Sequence, residues 1–518
     1  MIQIVLDQIN DLWPTIVLVL GIALLLYLFK LLVKLYRNYS KLSHVPGFCQ
    51  VMYFPFRVPL LAPEYNLADW KGVSKLMQER GDKETKAMRV SLVFYNCLVL
   101  SDKNMLKEMF ISKAHCFDKP DFEYEMINIF GENLLTALTT ERWRIHHRAC
   151  YAAFSDDNLR LVCDEAVTST DTLLNTRWRK APIIDATRKS VYINPSLDFS
   201  NLTLNVLGEA AFGLSFGAFD ENEEGREFSK ALEHLTLDGL ILRRYILQNI
   251  PFLYPLLAKI TGVKAAQEKT RVVLQRCIDQ RKQELEKSGD SFERRDVLSL
   301  LVKANTQDKI LTDEMLISNA FVLSIAGYHT SSATCQWALF ELSKHKDIQE
   351  RAREEVLSIL GSERKPSFDD YQKFHYLNAV IMETLRLHPP ITSVVKQVCK
   401  KETTLGKFLI PKGTEIDVFI GGVHTDPRYW ENPYTFNPER FVKEEDKSRA
   451  KHDFSWIPFS AGNRKCIGYR FAEMEICMIL SRLLQNYEFD IEDAHLVGEV
   501  VGVTVTPSNL KIKATPLC

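Results

Sequence analysis

Several common features are missing from this 518-residue sequence, and each absence removes a class of function. The 11 cysteines form no Cys-x-x-Cys pair, and their odd number and wide scatter argue against both a zinc site and a disulfide framework. A formal net charge of −1 gives no electrostatic reason to expect nucleic acid as a partner. No Gly-x-Gly-x-x-Gly segment follows a strand pattern, so no flavin or nicotinamide site is predicted. The cysteine usage fits a reducing compartment for the main body of the chain.

One long apolar run lies near the N-terminus. Residues 12–29 contain no charged side chain, a length at the threshold for a membrane-spanning helix. Acidic residues precede the run and basic residues follow it, so the positive-inside rule directs the N-terminus to the lumen and the rest to the cytosol. An uncleaved signal anchor is favoured over a cleaved signal peptide, because no basic region precedes the run and no small-residue cleavage site follows it. We expect a lumenal segment at residues 1–11 and one transmembrane helix at residues 12–36.

The rest of the chain predicts a linker followed by one large domain. Scattered prolines indicate a linker at residues 37–63, and the domain then occupies residues 64–518. Val- and Leu-rich residues at 89–100 predict a pair of strands, and short β-like runs return at 408–420 and after Tyr487. Helical patterns dominate elsewhere, at residues 102–112, 141–154, 156–178, 201–213, 226–247, 264–288, 313–344, 347–360 and 368–387. The predicted fold class is mainly α with a small β-sheet, preceded by one N-terminal transmembrane helix.

A loop with two glycines, from Phe459 to Gly468, contains a single cysteine and precedes an apolar helix pattern at residues 467–484. Gly462 permits a tight turn with positive φ, and Gly468 lets the backbone approach a bulky group. At a helix N-terminus, the dipole and free N–H groups would favour the thiolate of Cys466. A thiolate is a ligand for haem iron; the alternative is that Cys466 is a buried small hydrophobe, as most free cysteines are.

The spacing Phe-x-x-Gly-x-Arg-x-Cys-x-Gly in this loop resembles the haem-binding loop of the cytochrome P450 family. The resemblance implies that Cys466 is the axial thiolate ligand of haem b. It also implies that Arg464 pairs with a haem propionate, that Phe459 packs beside the sulfur, and that Gly468 belongs to the cofactor-binding set.

Further basic and aromatic residues match the propionate-binding positions of the family. Trp143 and His147 are four residues apart and share a helix face. In the family a Trp and a basic residue four positions later bind the propionates; His147 stands where Arg is usual, and a neutral imidazole still donates one N–H. Lys396 occupies a position where the family commonly has an Arg directed toward a propionate. The alternative for residues 141–148 is a solvated basic surface helix.

Residues 311–344 predict a long helix, with Thr312 as its N-cap. Its middle, from Ala326 to Thr330, resembles the oxygen-activation motif Ala-Gly-x-acid-Thr of the family, with His329 in place of the acid. The resemblance implies that Thr330, together with His329, delivers protons toward dioxygen. A glycine inside a helix costs about 1 kcal/mol relative to Ala, and a flat cofactor lying against the helix would explain Gly327. The alternative is that Gly327 serves helix packing and Thr330 bonds to the backbone of its own helix.

Glu383 and Arg386 lie three apart on a predicted helix face, and Pro-Glu-Arg-Phe at residues 438–441 follows downstream. Alone, such a pair is a common surface ion pair worth a few tenths of a kcal/mol. The family resemblance implies that Glu383, Arg386 and Arg440 form a buried structural network.

The resemblance runs from about residue 45 to the C-terminus and implies a microsomal-type haem-thiolate monooxygenase, anchored once in the endoplasmic reticulum membrane with a cytosolic catalytic domain. Such an enzyme inserts one atom of dioxygen into a hydrophobic small molecule. It takes electrons from an NADPH-dependent flavin reductase, with cytochrome b5 as a further candidate donor. Two alternatives remain open. One is a haem-thiolate isomerase or dehydratase acting on a peroxide, which the departure at His329 keeps open and the retained Thr330 argues against; the other is a non-catalytic haem-binding membrane protein.

Overall fold

The computed structural model describes residues 2–50, 70–92, 96–121, 124, 127–213, 223–235, 239, 243, 246, 251–288, 296–393, 397–502 and 504–517. Lys396, residues 51–63 of the linker expected at residues 37–63, and part of the helix expected at residues 226–247 lie outside these ranges.

The helices occupy most of the described chain. They are α1 (Ile2–Lys41), α2 (Trp70–Arg80), α3 (Lys103–Lys107), α4 (Thr140–Tyr151), α5 (Asp156–Leu173), α6 (Pro195–Leu207), α7 (Glu223–His234), α8 (Tyr254–Ile260), α9 (Val263–Ser288), α10 (Val297–Thr306), α11 (Asp313–Lys344), α12 (Lys346–Leu360), α13 (His375–Leu387), α14 (Ile420–His424), α15 (Glu444–His452) and α16 (Tyr469–Asn486).

The strands are short and fewer. They are β1 (Gly47–Gln50), β2 (Met88–Leu92), β3 (Asn96–Leu100), β4 (Phe117–Asp118), β5 (Ile183–Asp185), β6 (Ser190–Ile193), β7 (Gln397–Cys399), β8 (Thr403–Leu405), β9 (Phe408–Ile410), β10 (Glu415–Val418), β11 (Tyr487–Ile491), β12 (Gly498–Val501), β13 (Val505–Ser508) and β14 (Ile512–Pro516). The expected class, mainly α with small sheets, is confirmed.

The chain divides into two compact units, of which the first comprises Met1–Phe117 and Val395–Phe419. Five of its strands pair in the order β1-β2-β3-β10-β7. The strand pair expected at residues 89–100 is present as β2 and β3, antiparallel with Met88 opposite Val99. Strand β10 returns parallel to β3 after a long excursion of the chain, with Ile416 opposite Leu98.

Helix α1 contains the apolar run expected to cross a membrane. Val17–Lys41 is long and apolar enough to span a bilayer, and it buries none of its side chains within the protein. A soluble core helix would bury such a face, so this exposure agrees with an apolar surrounding. The helix continues through Lys41, into the stretch expected as a linker.

The second unit comprises Asp118–Val394 and Ile420–Cys518. Its centre is α11, which packs against α6, α13 and α16, while α16 also packs against α5. As predicted, Thr312 caps α11, and its hydroxyl accepts a hydrogen bond of 3.2 Å from the Met315 N–H. A small sheet in the order β11-β14-β6-β5 lies in the same unit, with Phe489 opposite Ala514.

Helix α13 begins at His375 rather than at residue 368, because Phe368–Lys373 forms a separate 3-10 turn. Two other predicted helix starts are wrong for a local reason. Helix α6 begins at Pro195 rather than at residue 201, because Asn194 caps it and accepts a 3.3 Å hydrogen bond from the Leu197 N–H. Helix α16 begins at Tyr469 rather than at residue 467, so Ile467 and Gly468 separate Cys466 from a helix that it was expected to adjoin.

Candidate active site

The cysteine loop is closed by its own backbone. The Cys466 N–H donates to the Phe459 carbonyl at 2.9 Å, and the short 3-10 turn Gly462–Arg464 lies between them. Gly462 has φ 69°, so the predicted positive-φ turn is present at the residue that tolerates it best. Ser460 also has a positive φ, of 61°, which marks the loop as tightly constrained.

The thiol of Cys466 lies in an enclosed but accessible position. Among the cysteines whose side chains the structure describes, it alone is exposed. Burial by surrounding protein nevertheless raises the pKa of the thiol, while a hydrogen bond from the Gly468 N–H and the charge of Lys465 act in the opposite direction. The sulfur is therefore surrounded by protein and yet accessible to a ligand. The expected lowering of the pKa by a helix dipole is not what dominates here, because α16 starts beyond the cysteine.

Arg464 links the cysteine loop to the start of α4. Its Nη1 donates to the Ala137 carbonyl at 2.8 Å and its Nη2 to the Thr139 carbonyl at 3.2 Å. The guanidinium also lies 5.2 Å from the ring centroid of Trp143, within the range of a cation–π contact. Two residues expected to bind propionates, which are far apart in sequence, therefore lie together.

His147 completes a row of rings along α4. Its imidazole lies 4.5 Å from the Trp143 ring and 5.3 Å from the Tyr151 ring, which confirms that Trp143 and His147 share a face. Burial lowers the pKa of His147, so the side chain is neutral at pH 7 and keeps a single N–H donor. Within the described residues, no group accepts a hydrogen bond from the Trp143 indole.

The remaining loop residues have less specific contacts. Phe459 packs against Trp456 and Tyr469, with ring centroids 6.1 and 6.2 Å apart. A Cβ on Gly468 would lie 3.4 Å from the Phe154 ring, an ordinary contact, so the expected close approach at this glycine does not by itself demand Gly.

The middle of α11 shows why Gly327 is present. A Cβ there would lie 2.7 Å from Cδ1 of Leu207, a residue at the end of α6. One turn away on α6, the Thr203 hydroxyl donates to the Tyr328 carbonyl at 3.0 Å. This contact with Leu207 favours the alternative that Gly327 serves helix packing, and the expected contact of Gly327 with a cofactor stays a prediction. Sequence reasoning missed Leu207 because its helix is distant in sequence.

Thr330 and Ala326 lie on one face of α11. The Thr330 hydroxyl donates to the Ala326 carbonyl at 2.8 Å, the backbone bond that a helical Thr commonly makes. Ala326 is exposed and Thr330 is partly exposed, although most of the following turns of α11 are buried. The face of α11 that carries Ala326 and Thr330 is therefore accessible. The hydroxyl proton of Thr330 is engaged in a hydrogen bond within the same helix.

His329 is next to Thr330 and has lost its basicity. Burial lowers its pKa from 6.5 to about 4, and its ring lies 3.9 Å from that of Tyr328. At pH 7 His329 is therefore a neutral imidazole, able to donate or accept one hydrogen bond but not a charged acid.

The predicted structural network is present, with Glu383 and Arg386 fully buried and Arg440 partly buried. Arg386 donates to both oxygens of Glu383, with Nε–Oε2 2.7 Å and Nη2–Oε1 2.8 Å. Arg440 Nε approaches Glu383 Oε1 at 3.3 Å, and the Asn437 N–H donates to the same oxygen at 2.8 Å. The buried carboxylate of Glu383 thus accepts four hydrogen bonds, and such full pairing is the condition for a stable buried ion pair.

These residues fit a haem. They provide one accessible thiol, an open helix face at Ala326, and a cation beside an indole N–H that has no protein acceptor among the described residues. Across the same residues, no three His, Cys, Asp or Glu side chains gather as a metal site of their own, so a metal here would need a prosthetic group for its other ligands.

Comparisons with known proteins show to which family the chain belongs. The family model described as Cytochrome P450 matches residues 53–514. Cytochrome P450 4c21 of Blattella germanica is 36% identical, over 61% of this chain and 65% of its own length. Cytochrome P450 monooxygenase 124 of Postia placenta is 28% identical, over 91% of this chain and 90% of its own length. Cytochrome P450 3A7 of Homo sapiens is 27% identical, over 76% of this chain and 78% of its own length.

The matched residues include the cysteine loop, the α4 segment with Trp143, and the α11 segment with Thr330. Sequence motifs, local geometry and family match therefore agree, and this chain belongs to the cytochrome P450 family of haem monooxygenases.

Proposed function

We propose that this protein is a membrane-anchored haem-thiolate monooxygenase that oxidises a hydrophobic small molecule with dioxygen. The observation that supports this most is the accessible thiol of Cys466. Arg464, on the same loop, donates a hydrogen bond to the Ala137 carbonyl and makes a cation–π contact with Trp143. Haem, when bound, supplies the activation of dioxygen and its insertion into the substrate, chemistry that amino-acid side chains lack.

The chain's own residues would hold and surround that cofactor. Cys466 supplies the thiolate ligand, which loses its proton on ligation, as a metal-coordinating thiol does. Arg464 and Trp143 would donate N–H hydrogen bonds to the propionate carboxylates, and neutral His147 would add one more donor. Lys396 keeps its proposed place beside a propionate from the family resemblance alone.

Proton delivery is the proposed task of Thr330. Its hydroxyl proton is held at the Ala326 carbonyl, and a rotation about the Cβ–Oγ1 bond would turn it toward the open face of α11. His329 is neutral at pH 7. Its proposed role is therefore to orient a hydrogen-bonded group rather than to donate a proton as a charged imidazolium.

Electrons would come from a membrane-bound NADPH-dependent flavin reductase, with cytochrome b5 as a second donor. Arg144 and Arg148 are exposed, one turn apart on α4, and Lys465 is exposed beside the cysteine. A cationic surface beside the thiolate suits a partner with an acidic docking face. The apolar helix α1 is proposed to anchor the chain once in the endoplasmic reticulum membrane, with the catalytic domain in the cytosol.

Reconstitution tests the proposal. Purified protein and reductase are combined in vesicles, and lipophilic compounds are screened by the spectral shift they cause in the haem. A compound that shifts the spectrum should increase NADPH consumption and yield a product that carries one oxygen from labelled dioxygen. Charge reversal at Arg144 and Arg148 should slow reduction by the reductase but leave reduction by dithionite unchanged.

The second candidate is a haem-thiolate isomerase or dehydratase acting on a peroxide. The specific observation in its favour is that His329 replaces an acid and has a pKa of about 4, so the usual acidic relay is absent. The discriminating result is turnover of a lipid peroxide without NADPH or reductase, combined with no labelled oxygen in any product.

A further inference from the structure

His146 is a fully buried histidine on α4 to which the proposed cofactor site gives no role. Its Nδ1 lies 2.8 Å from Nδ2 of Asn319 on α11, and its Nε2 lies 3.4 Å from Oε1 of Glu132. Glu132 belongs to segment 131–137, which precedes α4 in the chain. The imidazole therefore connects α4 both to the central helix and to this segment.

The hydrogen bonds of Asn319 fix the tautomer of His146. The side-chain oxygen of Asn319 accepts from the Leu134 N–H at 2.8 Å, and its nitrogen donates to the Met315 carbonyl at 2.8 Å. These two contacts determine which end of the side-chain amide faces the imidazole, so an amide N–H is directed at Nδ1. Nδ1 is therefore the unprotonated acceptor, and the ring proton lies on Nε2, toward Glu132.

Asn319 lies on the face of α11 that is open further along the helix. Asn319, Ala326 and Thr330 are seven and four residues apart, the spacing of one helix face. Segment 131–137 contacts this face at Asn319, where the Leu134 N–H is donated. Asn319 is buried there, whereas Ala326 is exposed. The backbone at Leu134 therefore lies at the border of the open face.

The two ends of this segment are held by groups that do not titrate near neutral pH. At its start, the Ser318 hydroxyl donates to the Gly131 carbonyl at 2.6 Å. At its end, the Arg464 guanidinium donates to the Ala137 carbonyl at 2.8 Å. The middle of the segment depends instead on the amide of Asn319, whose orientation is coupled to a histidine.

We propose that His146 and Asn319 are positioning residues for the substrate, which hold segment 131–137 against α11 and so fix the border of its open face. The inference rests on the proposed function and deepens it, because a substrate would approach the cofactor across this face. Asn319 acts on the segment through the Leu134 N–H, and His146 acts through Asn319. Sequence patterns indicated no such role for His146, because Asn319 lies 173 residues further along the chain.

Protonation of His146 would break this arrangement. An imidazolium carries a proton on Nδ1, where Asn319 already presents an N–H, so one of the two groups must move. Burial lowers the pKa of His146 from its ordinary value of 6.5. Glu132 opposes that shift, Arg142 of α4 adds to it, and α11 presents the neutral Asn319. Release of the segment would expose His146 and return its pKa to about 6.5, so the segment is held above that pH and released progressively as pH falls.

Hydrogen exchange measures the hold on the Leu134 N–H. Exchange of peptides covering residues 131–137 is followed by mass spectrometry on the full-length protein and corrected for the intrinsic rate at each pH. Wild-type exchange should be about threefold faster or more at about pH 5 than at about pH 8. Asn319→Leu should exchange about tenfold faster at about pH 8, because it removes the acceptor. Asn158→Leu is the matched control, since the buried Asn158 donates to the Ala153 carbonyl at 2.9 Å, and it should leave this exchange unchanged.

Two further substitutions separate titration from packing. His146→Gln offers an amide oxygen to Asn319 and an amide N–H to Glu132 without titrating, so residues 131–137 should stay protected at both pH values. Asn319→Asp keeps an acceptor for the Leu134 N–H but places a carboxylate beside Nδ1, which favours the imidazolium. Exchange in Asn319→Asp should therefore slow, rather than accelerate, as pH falls.

Ligand selectivity tests the positioning role itself. Imidazole and 4-phenylimidazole both ligate haem iron through a ring nitrogen, and the larger ligand also needs space beside the iron. The ratio of their dissociation constants, measured from the shift of the Soret band, should change about fivefold or more in Asn319→Leu. The affinity for imidazole should stay within about twofold of wild type, because the iron itself is untouched. His146→Gln and Asn158→Leu should keep the wild-type ratio.

The outcomes separate this inference from the proposed function. If the wild type binds no haem with a thiolate spectrum, the proposed function fails, while hydrogen exchange still decides whether His146 and Asn319 hold the segment. Equal protection of residues 131–137 in the wild type and Asn319→Leu would overturn the inference, and so would an unchanged ratio for the two azoles. The same pH trend in the wild type, His146→Gln and Asn319→Asp would overturn it too. Should Asn319→Leu fail to fold, those three pH trends decide the question.

Discussion

The guanidinium of Arg464 lies 5.2 Å from the ring of Trp143 while donating hydrogen bonds to the carbonyls of Ala137 and Thr139. One side chain therefore fixes the cysteine loop against the start of α4. Because these bonds need the forked geometry of a guanidinium, Lys is not an equivalent residue here.

Arg464→Lys should lower both stability and haem retention. Loss of the two carbonyl bonds should reduce the free energy of unfolding by about 1–3 kcal/mol, measured by denaturant titration. Arg470→Lys is the matched control, because Arg470 forms one exposed ion pair of 2.8 Å with Asp156 and should change stability by less than about 1 kcal/mol. Equal effects of the two substitutions would contradict the role assigned to Arg464.

Thr330→Ala should uncouple electron consumption from product formation. A positioned proton donor typically contributes about 10²–10⁴-fold, so product per NADPH should fall at least tenfold while hydrogen peroxide rises. Thr334→Ala is the control, because Thr334 makes the same kind of bond, donating to the Thr330 carbonyl at 2.9 Å. Coupling should be unchanged in the control and in Thr330→Ser. Normal coupling in Thr330→Ala would remove Thr330 from proton delivery.

Glu383→Gln should be severely destabilising. It leaves the buried guanidinium of Arg386, which is fully inaccessible at 0% exposure, without its counter-charge, at a cost of about 3–5 kcal/mol. Asp369→Asn is the matched control, since the ion pair of Asp369 with Arg160 is solvent-exposed and worth less than about 1 kcal/mol. Thermal unfolding of the two variants measures the difference, and a small effect of Glu383→Gln would mean that the network contributes no net stability.

His329 should make the protein less stable in acid. Its pKa in the folded protein, about 4, lies below the ordinary value of 6.5, so protonation favours the unfolded chain as pH falls from about 6.5 to 4. His329→Gln removes this titration. The stability of the variant, measured by denaturant titration, should therefore fall less steeply over that pH interval than that of the wild type.

His345 should give the opposite pH dependence of stability in the same experiment. Its hydrogen bond to Glu341 raises the pKa of His345, so its contribution is fully present below pH 6.5 and is lost as pH rises through the raised value. His345→Gln should therefore cost most at acid pH. Parallel stability curves for the wild type and both variants would contradict these two assignments.

Features set by local sequence were predicted best. Helix α11 and its Thr312 cap follow from a polar cap ahead of a long apolar pattern, and the Glu383–Arg386 pair follows from spacing on one helix face. Each depends on residues within a few turns of one another, which is the range over which a sequence pattern determines geometry.

Features that depend on contacts between distant elements were not predicted. Leu207 occupies the space beside Gly327, and His146 lies buried next to Asn319; in both cases the two partners come from separate elements. The state of Cys466 was mispredicted for a related reason. The helix starts two residues later than expected and so no longer adjoins Cys466, while the surrounding protein raises the pKa of the thiol.

The central claim is that the thiolate of Cys466 is the axial ligand of a haem iron. The most direct measurement is the absorption spectrum of the purified, dithionite-reduced protein after addition of carbon monoxide. The account predicts a Soret band shifted to the long-wavelength position diagnostic of thiolate ligation, and its loss in Cys466→Ala. A band at the ordinary position of imidazole-ligated haem in the wild type, or an unchanged shifted band in Cys466→Ala, would contradict it.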